Sequence, residues 1–310
     1  MAQVWKCSGL RWSDDGPVLV WSGGRRSPLA RGKRVAFGVA EGVAGGVAGG
    51  VAGGGGDGFA DRGVRECVGA RGHACPTRTP VSGRSTGARC EECARLDRAH
   101  SVAADTLADD PRPYHVYLAW FGPGMVKVGI TAVERGPARL LEQGAVCFSW
   151  LGAGPLMAAR RAEELLRAAL RVPDRIPYGD KRVVRALLPA TRAERAAEIE
   201  ELHALSVALG GWPESLVPEP CQVVDHVGVF GLDGVAAAVG EVTELVPGGV
   251  VSGELVAAAG PDLHLATRRG VVVLDTRLLP GWELIPAGAG SEGQLRLPVR
   301  EFETPQDGLF

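Results

Sequence analysis

Four cysteines stand close together in the sequence, and thiolate chemistry is the most specific chemistry that the chain offers. Cys67, Cys75, Cys90 and Cys93 fall within 27 residues. A Cys-x-x-Cys turn such as Cys90–Cys93 points two sulfur atoms at one centre, and two thiolates from a facing loop would complete the tetrahedron that Zn²⁺ prefers in structural sites. Because four sulfur ligands leave no open position for catalysis, we expect a structural zinc site.

Other interpretations of these cysteines stay open. They could be buried free thiols or include a redox Cys-x-x-Cys pair. Seven residues separate the first two cysteines, so His73 could replace Cys67 or Cys75 as a ligand. The intervening loop is rich in Thr, Pro, Ser and Gly and would need a metal to hold a fold. The cysteines predicted to be ordinary core or strand residues are Cys7, Cys147 and Cys221.

The elements that must position these groups predict an α+β protein. Hydrophobic residues make up 45% of the chain and charged residues 23%, as in ordinary globular proteins. We expect a small antiparallel sheet with helices, a zinc-ribbon-like module and β-rich ends. The predicted segments are an N-terminal β-hairpin region (1–37), a Gly/Ala/Val low-complexity linker (38–58), the four-cysteine module (61–100), an α/β core with a following helix (114–210) and a C-terminal β-rich domain (221–290).

Local patterns predict the strands and helices. LRWSDDGPVLVW reads as two strands around an Asp-Asp-Gly turn, and YHVYLAW and MVKVGIT read as an antiparallel hairpin joined by FGPG. Helices are expected over Glu134–Gln143, after Pro155, and after Thr191, whose side chain forms a capping box with Glu194. Similar strand runs at the two ends of the chain make a shared small barrel conceivable, but they do not decide whether the ends pair.

Charge is unevenly distributed although the net charge is only −2. Residues 1–98 carry 15 Lys/Arg against 9 Asp/Glu, and residues 114–190 carry 11 against 6. Residues 191–310 carry 7 against 18. Basic segments suit a polyanion such as nucleic acid, whose phosphates attract Lys and Arg. The alternative is ordinary solvated surface charge.

The sequence also bears on compartment. It begins MAQVWKCSGLRW, without the apolar segment of a secretory signal, and no apolar run reaches the length of about 20 residues that a membrane helix needs. We therefore expect no membrane partner and a cytoplasmic location. A reducing compartment makes clustered thiols more suited to metal binding than to disulfides.

The segment HVYLAWFGPGMVKVGIT resembles the paired strands of the GIY-YIG nuclease superfamily, with HVY at 115–117 and KVG at 127–129 in place of the two motifs. The segments ERGPARLLEQGA and RRAEELLRAAL resemble the two helices that follow, with Arg139 in the arginine position and Glu163 in that of the metal-binding glutamate. This resemblance covers 114–188. The whole arrangement, including the cysteine cluster, resembles the domain-of-unknown-function 2797 family.

The GIY-YIG resemblance implies phosphodiester hydrolysis. Such a reaction needs an activated water, neutralisation of charge on the phosphoryl oxygens, and an acid at the leaving oxygen. Tyr117 would be the base or water positioner, Arg139 would clamp the phosphate, and Glu163 would hold one Mg²⁺. Lys127 stands where the second motif has tyrosine, and it can bind phosphate as a point charge.

Each of these residues also has a structural interpretation. Tyr117 could be a core aromatic of its strand, Arg139 a solvated residue with Arg135 as its rival, and Glu163 an ordinary charge on an amphipathic helix. Three hypotheses follow. The first is a zinc-containing nucleic-acid-binding protein with Mg²⁺-dependent hydrolysis, the second is a non-catalytic nucleic-acid-binding module, and the third is a zinc-stabilised protein-interaction scaffold.

Overall fold

The computed structural model describes residues 4–13, 15–41, 63–98 and 110–302. Most of the predicted linker, 42–58, lies outside the described residues. The strands are β1 (Trp5–Ser13), β2 (Gly16–Trp21), β3 (Arg26–Pro28), β4 (Arg34–Val39), β5 (Pro113–Gly122), β6 (Met125–Ala132), β7 (Cys147–Pro155), β8 (Val217–Pro218), β9 (Val224–Asp225), β10 (Gly240–Val242), β11 (Val250–Ala259), β12 (Asp262–Thr267), β13 (Gly270–Asp275), β14 (Glu283–Pro286), β15 (Leu295–Arg296) and β16 (Val299–Glu301).

The helices are short and separate the strands of the core. They are α1 (Glu91–Arg98), α2 (Ala138–Gln143), α3 (Leu156–Leu170), α4 (Tyr178–Val184), α5 (Arg192–Val207) and α6 (Val227–Phe230). Single 3₁₀ turns occupy Val133–Arg135, Arg185–Leu187 and Thr276–Leu278. Mixed helices and mainly antiparallel sheets confirm the predicted α+β class.

The core is a small sheet in the order β6-β5-β7-β8, with β9 also paired to β7. The expected hairpin of β5 and β6 is confirmed by an antiparallel register that pairs Tyr114 with Ala132. Alternate residues of β5 face opposite sides because side chains in a strand alternate. Val116, Leu118 and Trp120 pack with residues of α3 and α5. Tyr117 and the other residues on its side of β5 pack with a residue of α2.

Two of the expected helices differ from the prediction in detail. The helix expected over Glu134–Gln143 begins only at Ala138, because Gly136 has a φ of 47° and Pro137 is the N-cap. Pro155 lies at the N-cap of α3 instead of its first helical position. The capping box of α5 is confirmed, since Thr191 Oγ1 accepts a hydrogen bond of 3.3 Å from the backbone N–H of Glu194.

The second sheet joins the two ends of the chain. Its strands follow the order β16-β10-β13-β12-β11-β4-β14-β1-β2-β3, and β15 pairs with β11. β4 lies between two C-terminal strands, β11 and β14, and β1 also pairs with β14. The hairpin expected around the Asp-Asp-Gly turn is confirmed by pairing of β1 with β2. The two β-rich ends therefore share one sheet.

An ionic cluster connects the core to the second sheet through α4, a helix that the sequence analysis missed. Arg182 Nη2 lies 2.7 Å from one carboxylate oxygen of Asp262, and Arg185 Nη1 lies 2.6 Å from the other. Arg182 Nη1 also lies 2.8 Å from Glu241 Oε2. Asp262 is fully buried, so these contacts fix the core against the edge of β12.

The remaining cysteines and the membrane prediction can also be compared with the fold. Cys7 and Cys147 lie buried in β1 and β7, as expected. The prediction is wrong for Cys221, which is exposed in the short connection between β8 and β9. No helix among the described residues is both long and apolar enough to span a membrane. The cytoplasmic location stays a prediction.

Candidate functional site

The four clustered cysteines meet in the folded chain. The Sγ atoms of Cys67, Cys75, Cys90 and Cys93 all lie within 4.8 Å of one another. Zn–S bonds of about 2.3 Å would place the sulfur atoms roughly 3.8 Å apart, so the group needs little adjustment to close around a metal. His73 is exposed and does not belong to this group. Four sulfur atoms are available without it.

Local structure brings the two halves of this group together. Cys93 lies in the first turn of α1, and Cys90 immediately precedes that helix. Cys67 and Cys75 flank a tight turn in which Ala70 and His73 exchange backbone hydrogen bonds of 3.0 and 2.9 Å. The backbone N–H of Cys90 donates a 3.1 Å hydrogen bond to Cys67 Sγ, which connects the turn to the helix.

Hydrogen bonds around the sulfur atoms favour the thiolate form that binds metal. The Thr77 hydroxyl lies 3.3 Å from Cys75 Sγ and lowers the pKa of that thiol to about 5. The backbone N–H of Cys93 lowers the pKa of Cys90. Burial raises the pKa of Cys93 to about 12, and a bound cation would offset this penalty on its thiolate. The donor set fits a structural zinc ion and leaves it no open coordination position.

A buried arginine helps to fix the cysteine module to the second sheet. Arg65 is 1% exposed and donates hydrogen bonds to four backbone carbonyl groups. Those of Ser82 and Ser85 belong to the module, and those of Arg277 and Pro280 follow β13. Arg65 therefore connects the folded module to the residues that follow β13.

A second group of polar side chains surrounds the β5–β6 hairpin. Tyr117 is 2% exposed, and its hydroxyl accepts a 2.9 Å hydrogen bond from Gln143 Nε2 at the end of α2. Its strand partner is Gly129, where a Cβ atom would lie 2.4 Å from the Tyr117 hydroxyl oxygen. The glycine of the KVG motif therefore makes room for the phenol of the HVY motif.

Lys127 lies on the same side of the hairpin as Tyr117. Its Nζ atom is 5.6 Å from the centre of the Tyr117 ring and donates a 3.0 Å hydrogen bond to the backbone carbonyl of Asp174. Burial and the nearby Arg139 guanidinium lower the pKa of Lys127 to about 8, and the Glu163 carboxylate opposes this shift. The lysine is thus a partly desolvated cation between opposite charges.

Glu163 reaches this group from α3, and Arg139 reaches it from α2. Burial raises the pKa of Glu163, Lys127 opposes that shift, and the Asp174 carboxylate adds to it. The Arg139 side chain is 45% exposed, at the rim of the group. Burial also raises the pKa of Tyr117, with opposing effects from Gln143 and Arg139. The four residues singled out in the sequence therefore lie close enough to influence one another electrostatically.

Some residues of this group were not found from the sequence. Asp174 and Gln143 belong to no short motif, and only contacts in the folded chain reveal them. Gly129 was recognised as part of the KVG motif, but the sequence did not reveal that it makes room for the Tyr117 side chain. Arg135, the rival of Arg139, forms a 2.7 Å ion pair with Glu142, and Arg139 lies 3.9 Å from the same carboxylate. Among the described residues, the cysteine cluster is the only group of three or more His, Cys, Asp or Glu side chains that could hold a metal ion. Glu163 therefore offers a magnesium ion a single carboxylate and not a complete set of protein ligands.

A family model described as "Protein of unknown function (DUF2797)" matches residues 65–284. This region contains all four clustered cysteines, the whole core and most of the C-terminal strands. No curated protein and no solved structure match the chain. The likeness to the GIY-YIG superfamily therefore still rests on the motif residues alone.

Proposed function

The chain belongs to the DUF2797 family, and from this premise we propose that its core hydrolyses phosphodiester bonds of nucleic acid with Mg²⁺, while the four cysteines hold a structural zinc ion. One observation carries the proposal. Arg139 of α2 and Glu163 of α3 both influence the pKa of Tyr117 in β5. The same two charges influence the pKa of Lys127 in β6. A phenol, an ammonium, a guanidinium and a carboxylate in one place suit phosphoryl chemistry.

Each side chain has a definite task in this proposal. Arg139, exposed at the rim, can approach a phosphate with its planar donor fork. Lys127 provides a second positive charge beside the phosphoryl oxygens. Because its pKa is lowered to about 8, Lys127 can also exchange a proton near neutral pH. Tyr117 orients the attacking water and accepts or relays its proton.

Glu163 fits a magnesium ion, since Mg²⁺ is commonly held by one or two carboxylates together with water. The carboxylate of Asp174 is near enough to affect the pKa of Glu163. Bound there, the ion would stabilise negative charge on the phosphoryl and leaving oxygens. The nearby positive charge of Lys127 opposes the rise in the pKa of Glu163 that burial causes.

The surroundings of the group support a nucleic-acid substrate. The charges of Arg160 and Arg167 act on Glu163, and that of Arg175 acts on Lys127. The Arg175 side chain is 88% exposed, and that of Arg167 is 46% exposed. Additional positive charge near a candidate phosphate site is suited to a substrate that continues beyond one phosphate.

A second candidate function is a non-catalytic nucleic-acid-binding module. It is favoured by the burial of Tyr117, which is 2% exposed and whose pKa is raised. A buried phenol with a raised pKa forms its phenolate less readily, which opposes its use as a general base. Binding of phosphate by Lys127 and Arg139 would not need that step.

Cleavage of end-labelled single-stranded DNA, duplex DNA and RNA by the full chain separates these functions. We expect cleavage with Mg²⁺ but not with Ca²⁺, and a loss of about 100-fold or more in Glu163→Gln. Glu164→Gln, which changes the neighbouring exposed side chain, is the matched control and should retain activity. Cleavage that survives Glu163→Gln contradicts the assignment. Salt-sensitive binding without cleavage would favour the non-catalytic binding module. If the chain neither cleaves nor binds nucleic acid, the protein-interaction scaffold is the remaining hypothesis.

A further inference from the structure

The hydroxyl of Tyr117 has a hydrogen-bond partner on the inner side of the candidate site. Gln143, 5% exposed at the C-terminal end of α2, donates from Nε2 to that hydroxyl across 2.9 Å. A phenol has one proton and two lone pairs, and an amide N–H can only donate. Gln143 therefore occupies a lone pair, and the phenol proton must point elsewhere.

A second side chain fixes the backbone of Gln143. Lys181 is 2% exposed, and its Nζ atom donates a 3.3 Å hydrogen bond to the main-chain carbonyl of Gln143. The same Nζ atom lies 3.8 Å from the ring centre of Phe121 and 4.4 Å from that of Tyr178. Because Phe121 is on the same strand as Tyr117, Lys181 joins the end of α2 to the strand that carries the phenol.

We propose that Gln143 and Lys181 are positioning residues that hold the Tyr117 hydroxyl oxygen in place at the candidate site. This proposal rests on the proposed function, because it assigns the pair to the same site. Neither residue reaches the reacting phosphate; both act through Tyr117. Arg139 and Glu163 both influence the pKa of Tyr117, so this hydroxyl belongs to the candidate site.

The second sheet holds this pair in place. The turn between β11 and β12 approaches the residue after Gln143 so closely that a Cβ atom on Gly260 would lie 2.8 Å from the backbone nitrogen of Gly144. Trp12 Nε1 in turn donates a 2.8 Å hydrogen bond to the Gly260 carbonyl. Residues from both ends of the chain therefore pack against the end of α2. Because α2 carries Gln143, the orientation of Tyr117 depends on an intact second sheet.

Nuclear magnetic resonance tests the pair without relying on cleavage. The chain contains three tyrosines, so labelling with ¹³Cζ-tyrosine gives three signals, and Tyr117→Phe assigns the relevant one. Gln143→Glu replaces a donor by an acceptor of the same shape, and it should shift the Tyr117 signal while the Tyr114 signal stays in place. Lys181→Met should shift the Tyr117 signal in the same experiment. Gln222→Glu, at an exposed position, is the matched control and should shift none.

An unmoved Tyr117 signal in a folded Gln143→Glu chain overturns the proposal. If the variants do not fold, the proposal is tested on the unmodified chain. The side-chain amide protons of Gln143 must then show nuclear Overhauser contacts to the Tyr117 ring. Absence of those contacts also overturns it. If the chain cleaves nucleic acid, Gln143→Glu should lower kcat about tenfold with KM unchanged. Signal shifts in a chain that cleaves nothing would reject the hydrolase and retain the pair.

Discussion

Gly129 lies directly opposite Tyr117 in the β5–β6 ladder, and a Cβ atom at this glycine would come within 2.4 Å of the Tyr117 hydroxyl oxygen and 2.5 Å of the adjacent ring carbon. Both contacts are shorter than non-bonded carbon atoms tolerate, and the ring cannot retreat because it is buried on its other sides. The glycine therefore determines where the phenol stands, although it has no functional group of its own.

Gly129→Ala should lower the free energy of unfolding by about 1–3 kcal/mol, the usual penalty for overpacking a core. Urea denaturation followed by tryptophan fluorescence measures the change. Gly228→Ala is the matched control, because Gly228 is exposed in α6 and a Cβ atom there would meet nothing within 4 Å. Equal unfolding midpoints for the two variants would contradict the steric role of Gly129.

The cysteine group should bind one zinc ion per chain. Elemental analysis of the purified chain should give a zinc content near one equivalent, and Cys90→Ser should lose it because a hydroxyl is a poor replacement for a thiolate ligand. Cys221→Ser, at an exposed cysteine outside the group, should retain the metal. Removal of zinc should also expose the 63–98 segment to proteolysis, since few apolar residues support it. Full zinc in Cys90→Ser would reject the site.

The burial of Lys181 should be visible in the dependence of stability on pH. Burial, together with the nearby charges of Lys127 and Arg185, lowers the pKa of Lys181 from 10.5 to about 7. Between these two pH values the unfolded chain binds more protons at this lysine than the folded chain, so its contribution to stability increases as the pH rises. Below pH 7 both states are protonated and the penalty of the buried charge is complete.

Lys181→Met should flatten this dependence. The difference in unfolding free energy between the parent chain and the variant should change by about 3 kcal/mol between pH 6.5 and pH 9.5, measured by urea denaturation at fixed ionic strength. Lys33→Met, which alters an exposed lysine, should leave the slope unchanged. Parallel pH profiles for the parent and Lys181→Met would show that Lys181 has the same protonation in the folded and the unfolded chain, which would contradict the prediction.

The sequence predicted those parts of the molecule that depend on nearby residues. The four cysteines, the β5–β6 hairpin and the capping box at Thr191 are local patterns, and each is confirmed. Arg139 and Glu163 were placed on helices after the hairpin, and their approach to Tyr117 follows from that order. Their chemical roles stay predictions, because proximity does not establish activity.

The parts that the sequence did not predict depend on distant contacts. β4 lies between β11 and β14, strands that follow it by more than 200 residues, and no local pattern specifies such a neighbour. The burial of Lys181 and Gln143 is caused by the second sheet covering α2 and α4. A lysine or glutamine in a short polar segment otherwise indicates a solvated surface, so this end of the candidate site needed the folded structure.

The ionic cluster that connects the core to the second sheet depends most on Asp262. Burial acts to raise the pKa of this carboxyl, but Arg185 and Arg182 outweigh that effect and lower it. Asp262→Asn keeps the volume and removes the charge, so the free energy of unfolding should fall by about 3–5 kcal/mol, as when one partner of a buried ion pair is lost. Glu301→Gln, in an exposed pair, should change it by less than about 1 kcal/mol. Urea denaturation compares the two, and equal losses would mean that the buried cluster adds nothing beyond a surface pair.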